Sequence, residues 1–252
     1  MLKHSKIVLK QGLILSDPRT CVVEPHRVTL IEDGRLKAVN IGENPTLEGL
    51  FEIDCSGCLI MPGLINGHTH GAMSLLRGLA DDLPLERWLN DYIFPTESRF
   101  VNPDFVNLGT RLACVEMALN GITTFADGYF FMEQSAQAAQ DVGLRAVIAQ
   151  GILDPPTPDA EKGLWQRRVE EFLENCINTD TIQPALFCHS PYLCGPDTYK
   201  SAWNIAGSNG LKLFSHVAET VFEVDQVRIA HNMTPVYHLN ELGVLGPDFI
   251  SV

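Results

Sequence analysis

The chain has 252 residues, 45% of them apolar, with 31 acidic side chains against 18 lysines and arginines and a formal net charge of −13. That apolar share belongs to a globular protein rather than a disordered one, and the length suits one α/β barrel-sized domain. The acidic balance argues against nucleic acid or an anionic membrane as partner, because both reward basic patches.

The N-terminal ten residues, MLKHSKIVLK, lack the long apolar core and small-residue cleavage site of a signal peptide, and no apolar run is long enough for a membrane helix. Seven scattered cysteines read as reduced thiols of a cytoplasmic protein. Cys55 and Cys58 form a C-x-x-C, but no second pair completes a metal site, so they read as structural.

Up to about residue 57 the chain predicts short strands at 7–9, 12–15, 27–31 and 36–39, with Asp33-Gly34 as a hairpin turn. From residue 58 the rhythm changes. Apolar strand runs begin near Leu59, Ile122, Ala146, Ile182, Leu211 and Phe249. Helical spacing is expected at 105–119, 131–142, 196–209 and 223–230, and Thr234-Pro235 marks a further cap and first turn. Strand alternating with helix predicts a parallel sheet, with chemistry at the C-terminal ends of the strands.

The stretch LIMPGLINGHTH, residues 59–70, is the most telling. Its apolar run is expected to be a buried strand, broken at Pro62-Gly63 and closing in two histidines. Side chains two apart on a strand share a face, so His68 and His70 would project together. A later run, 211–215, ends at His216, with Glu219 three residues on. Three imidazoles suit zinc or another borderline transition metal, and three protein ligands with an open position describe a catalytic rather than a structural site.

Residues 61–78, MPGLINGHTHGAMSLLRG, resemble the opening of the metal-dependent amidohydrolase superfamily. The similarity is greatest to its branch of methylthioadenosine and S-adenosylhomocysteine deaminases and triazine hydrolases. It continues in order through ADDLPLERWL (80–89), PTE (95–97), GITTFAD (121–127), HSPYLC (189–194) and HVAET (216–220). The resemblance implies an α/β fold: the N-terminal part of a TIM-like (β/α) barrel over 58–252, preceded at 1–57 by a small portion of a composite β-sandwich. The barrel part would hold five βα units and the start of a sixth strand. In the family that strand is followed by a histidine and, on an eighth strand, by an aspartate ligand. Neither occurs here, so the chain reads as the first part of such an enzyme and is expected to be poorly soluble alone.

The resemblance also implies the chemistry, which is hydrolytic deamination of an adenine nucleoside such as methylthioadenosine, S-adenosylhomocysteine or adenosine. His68, His70 and His216 would hold one divalent transition metal, zinc first, with iron or manganese as alternatives. Two-metal relatives carry a bridging lysine on the fourth strand, which is absent from 182–188. Glu219 would exchange the catalytic proton, His189 contact the purine ring, Glu97 bind ribose hydroxyls, and Trp88 lie on a loop covering the pocket. Asp127 is open between a structural and a functional role. Gln150 stands where relatives that accept S-adenosylhomocysteine often carry arginine, so an uncharged substrate is expected. The alternatives are a triazine or halo-heterocycle hydrolase using the same site and a catalytically incomplete fragment. The partner expected is a small-molecule nucleoside or heterocycle, with homo-oligomerisation left open.

Overall fold

A computed structural model describes residues 6–42 and 50–252. The first five residues of the segment read as lacking a signal peptide lie outside the described residues. The chain divides into two compact units, Met1–Gly63 and Leu64–Val252.

The first unit is built of two small sheets. One has the order β5-β4-β1-β6 and contains β1 (Lys6–Lys10), β4 (Val28–Glu32), β5 (Arg35–Ile41) and β6 (Phe51–Asp54); the other, β3-β2-β7, contains β2 (Leu13–Asp17), β3 (Val22–Pro25) and β7 (Leu59–Ile60). Asp33 and Gly34 join β4 to β5 as expected. Both take positive φ (51° and 71°), the two-residue hairpin geometry whose twist matches the strands. The expected barrel strand at Leu59 is corrected here. Leu59 and Ile60 pair in parallel with Leu13 and Ile14 of β2, so this run belongs to the first unit, which extends to Gly63.

The second unit is a curled, fully parallel sheet in sequence order: β8 (Leu64–Thr69), β9 (Ile122–Tyr129), β10 (Arg145–Ile152), β11 (Ile182–Cys188), β12 (Leu213–Ser215) and β13 (Phe249–Ser251). It is the partial TIM-like barrel expected. The central strands are apolar on both faces: Ile148, Ala149, Ile152, Ala185 and Leu186 are all buried. By contrast β8 is not the buried strand its composition suggests. It lies at the sheet edge with β9 as its neighbour, and Leu64 and Ile65 are 51% and 74% exposed.

The helices are α1 (Leu85–Arg87), α2 (Phe94–Phe100), α3 (Pro103–Leu119), α4 (Met132–Val142), α5 (Trp165–Asn175), α6 (Pro196–Asn209), α7 (Val221–His231) and α8 (Pro235–Glu241). Asn102 caps α3 by accepting from the Phe105 N–H at 3.0 Å, with Pro103 in the first turn. Two differences from the sequence reading matter for the site. The helix α5 is not among the expected elements, although Trp165, Val169 and Phe172 recur at helical spacing on its buried face. Trp88, expected on a loop, is instead helical: residues 85–100 are helical throughout, with a π segment Trp88–Ile93 between α1 and α2. Pro95 falls in the first turn of α2, where its missing N–H is tolerated, and the preceding π segment absorbs the change of register. No described helix is long and apolar enough to cross a membrane.

Candidate active site

His68 lies near the end of β8, His70 just beyond it, and His216 directly after β12. Their candidate ligand nitrogens all lie within 4.8 Å of one another, and Nε2 of His68 and Nε2 of His216 are 3.2 Å apart. Nitrogens sharing one tetrahedral zinc ion would stand roughly 3.3 Å apart, so the donor set fits a single ion.

The tautomers fit as well. Nδ1 of His70 faces the Gly128 carbonyl at 2.5 Å, and Nδ1 of His216 faces the His189 carbonyl at 3.0 Å. A carbonyl can only accept, so both Nδ1 atoms carry protons and both Nε2 atoms present lone pairs to the centre. Burial, reinforced by the neighbouring His70, pushes the His68 pKa down to about 4. Burial lowers that of His70, and burial with the surrounding histidines takes His216 to about 3. All three imidazoles are therefore neutral ligands at pH 7.

Phe187 forms the floor. Its ring stacks under His68 at 6.0 Å and meets His216 edge-on at 4.9 Å. Gly128 makes this possible, because a Cβ there would stand 2.9 Å from the Phe187 ring.

A cavity of about 590 Å³ opens over the cluster, lined among others by His70, Trp88, Glu97, His189, His216 and Glu219. Six of the seven residues expected from sequence thus line one cavity, and His68 stands beside it in the histidine cluster. Glu97, on α2, is only 5% exposed and accepts a 2.6 Å hydrogen bond from the Tyr129 hydroxyl. Burial lifts its carboxyl to about 7 against the opposing effect of that bond. His189 follows β11 with Nδ1 3.1 Å from the Ser190 hydroxyl, and burial, then His70, lowers its pKa to about 3. Trp88 reaches the cavity from the π segment rather than from a loop.

Glu219 sits between β12 and α7, after Ala218 in a left-handed conformation (φ 61°). It precedes the helix cap rather than opening the helix. Thr220 accepts from the Glu223 N–H at 3.1 Å, and the buried Glu223 carboxylate accepts from the N–H groups of Ala218 (3.0 Å) and Glu219 (2.9 Å). This is a reciprocal capping arrangement. Partial burial and the Glu223 charge raise the Glu219 pKa.

The expectation for Gln150 is corrected. Gln150 is fully buried and does not line the cavity, whereas its neighbour Gly151 does. Its amide donates to Asp159 at 2.9 Å and accepts from the Met132 N–H at 3.5 Å. Asp159 also accepts from the Phe131 N–H (2.8 Å) and from Arg168 (3.0 Å), whose other nitrogen pairs with Glu133. Strand alternation turns Gln150 toward this buried ion network. Tyr129, Phe187 and Glu223 are site residues that the sequence reading does not single out. For Glu223 a signal exists in the Thr220-x-x-Glu223 pattern.

A partial (β/α) barrel here brings three strand-end histidines within reach of one ion beside a cavity. Residues 59–251 match the Amidohydrolase family, and the chain belongs to it. It is 44% identical over 225 residues to the 5'-deoxyadenosine deaminase of Methanothermobacter thermautotrophicus, a match covering 88% of this chain and 52% of that protein. It is 39% identical over 247 residues to the 5-methylthioadenosine/S-adenosylhomocysteine deaminase of Thermodesulfovibrio yellowstonii, covering 95% and 55%. Among solved structures, a zinc-bound adenosine deaminase from Xanthomonas campestris superposes with a TM-score of 0.85 at 28% identity, covering 97% of this chain and 56% of that one. The zinc complex of atrazine chlorohydrolase from Arthrobacter aurescens TC1 reaches 0.86 at 18% identity, covering 97% and 60%, a likeness of fold. The chain spans about half the length of the curated relatives it matches.

Proposed function

We propose that this chain carries the metal-binding and nucleoside-binding machinery of an aminohydrolase that converts an adenine nucleoside to its inosine form and ammonia. The observation that carries the reading is the convergence of three neutral imidazoles with Glu219, His189 and Glu97 around one cavity. The names of the relatives support the same chemistry, and their substrates point to nucleosides modified at the 5' position.

In this reading His68, His70 and His216 hold one divalent transition ion, zinc first. When bound, such an ion supplies Lewis acidity that brings the pKa of water to about 7. Glu219, its pKa raised, gives a proton to the ring nitrogen beside the carbon under attack, recovers one from the attacking water, delivers that one to the departing amine and is reset by the second water proton. The water oxygen becomes bonded to that carbon, the carbon–nitrogen bond breaks, and ammonia leaves. His189 holds the purine ring and Glu97 accepts from a ribose hydroxyl. Trp88 and the apolar wall of Leu89, Ile93 and Phe130 keep bulk water out.

The described lining of the cavity carries two carboxylates and no lysine or arginine. This favours a neutral 5' substituent, as in 5'-deoxyadenosine or methylthioadenosine, over a tail ending in a carboxylate. Glu97, read as a ribose acceptor, also favours a nucleoside over a triazine.

The test is calorimetric titration of the zinc-loaded chain with 5'-deoxyadenosine, methylthioadenosine and S-adenosylhomocysteine, alongside an ammonia-release assay. Binding of the first two, weakened in Glu97→Gln and His189→Ala, is expected. A chain that neither binds nor deaminates any adenine nucleoside would overturn the reading.

A further inference from the structure

The end of β9 grips the turn that carries His70. Oδ1 of Asp127 accepts from the Gly71 N–H at 2.7 Å and lies 2.9 Å from the Thr69 hydroxyl. That hydroxyl shares its single proton between Asp127 and the Ala126 carbonyl, also at 2.9 Å. The next residue, Gly128, accepts from His70 itself. Three consecutive residues of β9, 126–128, therefore hold three consecutive residues, 69–71.

The strand pairing shows why side-chain bonds are needed there. Asn66 pairs with Phe125 and Thr69 with Asp127, so three steps along β8 match two along β9. The extra residue is a bulge, which interrupts the ladder where His68 projects and re-aims the side chains beyond it. Thr69–Asp127 is the last pair of the ladder, so beyond it no strand pairing fixes the chain, and the Asp127 carboxylate bridges the two residues flanking His70. Asp127 is 2% exposed, and its second oxygen, Oδ2, is buried without a hydrogen-bond partner. Ser135 nearby exchanges a 2.9 Å hydrogen bond with Thr110.

We propose that Asp127 is a positioning residue for the metal centre: by bonding Thr69 and Gly71 it sets the pose of His70, and with it the affinity of the His68, His70 and His216 cluster for a divalent ion. The proposal rests on the reading of these histidines as metal ligands.

The test compares the full chain with Asp127→Ala, Asp127→Asn and, as a control for general loosening, Met117→Ala, a truncation in α3. Zinc affinity is measured by competition with a chromophoric chelator. The His70 Nδ1–H resonance is followed by NMR in the metal-free protein. Asp127→Ala should lose about 10- to 100-fold in zinc affinity, the range seen when outer-shell support of a metal ligand is removed, while Asp127→Asn, keeping an acceptor oxygen, stays within about threefold of wild type. The His70 resonance should shift in the alanine variant and hold in the asparagine variant, and Met117→Ala should bind zinc like wild type. Wild-type affinity in Asp127→Ala overturns the proposal. So does an equal loss in Met117→Ala, or an asparagine variant as weak as the alanine one. A wild-type chain that binds no zinc overturns the metal-centre reading instead, and the His70 resonance then decides the positioning role alone.

Discussion

The phenol of Tyr129 donates to Oε1 of Glu97 at 2.6 Å within the wall of the cavity, tying the end of β9 to α2. The bond stabilises a carboxylate that burial disfavours, and burial prevails, leaving the Glu97 pKa near 7. A carboxyl with a pKa higher in the folded than in the unfolded chain binds its proton more tightly when folded. Its contribution to stability is therefore complete below its ordinary value of 4.5 and lost as pH rises toward 7. The full loss is on the order of 3 kcal/mol. Thermal melts of Glu97→Gln should be flatter than wild type between pH 4.5 and 8, with the variant gaining most at the alkaline end. An unchanged pH dependence would show that another group is responsible.

The histidine cluster should keep its ion in mild acid. With His68 near 4 and His216 near 3, protons compete with the metal well below the usual imidazole value of 6.5. One zinc per chain is expected, retained on dialysis to about pH 5, where an exposed three-histidine site would already be releasing it. Elemental analysis after dialysis across pH 4 to 8 checks this, with His216→Ala as the metal-depleted reference. Two ions per chain, or release near pH 6.5, would contradict the geometry.

Glu219→Gln should leave zinc and nucleoside binding intact while lowering any deamination rate about a hundred- to ten-thousand-fold, the range for general acid–base groups. Glu223→Gln should do less. It keeps an acceptor for the Ala218 and Glu219 N–H groups but removes the charge that helps raise the Glu219 pKa. The alkaline limb of the pH–rate profile, where Glu219 loses the proton it donates, should therefore move to lower pH. Profiles that superpose would remove Glu223 from the site.

Gln150→Arg should destabilise the chain and confer no affinity for S-adenosylhomocysteine. The new guanidinium would enter a fully buried position already serving Asp159 and Arg168. Overpacking a core typically costs about 1–3 kcal/mol, before repulsion from Arg168 is counted. A lower Tm without new binding in calorimetry is the expected result, and tighter S-adenosylhomocysteine binding would reverse the orientation assigned to Gln150.

The contrast between Gln150 and His216 explains what could be read from the chain. Chemistry at strand ends is legible because the strand and its terminal residue are adjacent in sequence, and so the three histidines and Glu219 could be placed together. The facing of a residue inside β10 is not legible in the same way, because both faces of a central parallel strand are apolar and alternation carries no contrast. The helix α5 hides its period because Arg168, buried at 7% exposure, interrupts the apolar face with a charge that only its partners Asp159 and Glu133 explain. Leu59-Ile60 has the composition of a barrel strand, yet its partner, β2, lies some 45 residues earlier, and a two-residue run says nothing about which sheet it joins. Trp88 and Glu97 were accessible through resemblance alone, since the π segment that aims them has no compositional signature.

His68 and His216 stand 148 residues apart in the chain and 3.2 Å apart in space. Closing a loop of that length carries a large entropic cost, met here by pairing of the intervening strands one after another. The cluster therefore comes together only after the first five strands of the sheet have assembled, so metal capture marks a late stage of folding. Once seated, an ion would clasp the first strand to the fifth, and unravelling from the β8 edge would have to break that clasp first. Amide exchange in β8 should slow on adding zinc far more than exchange in the already protected β10 and β11.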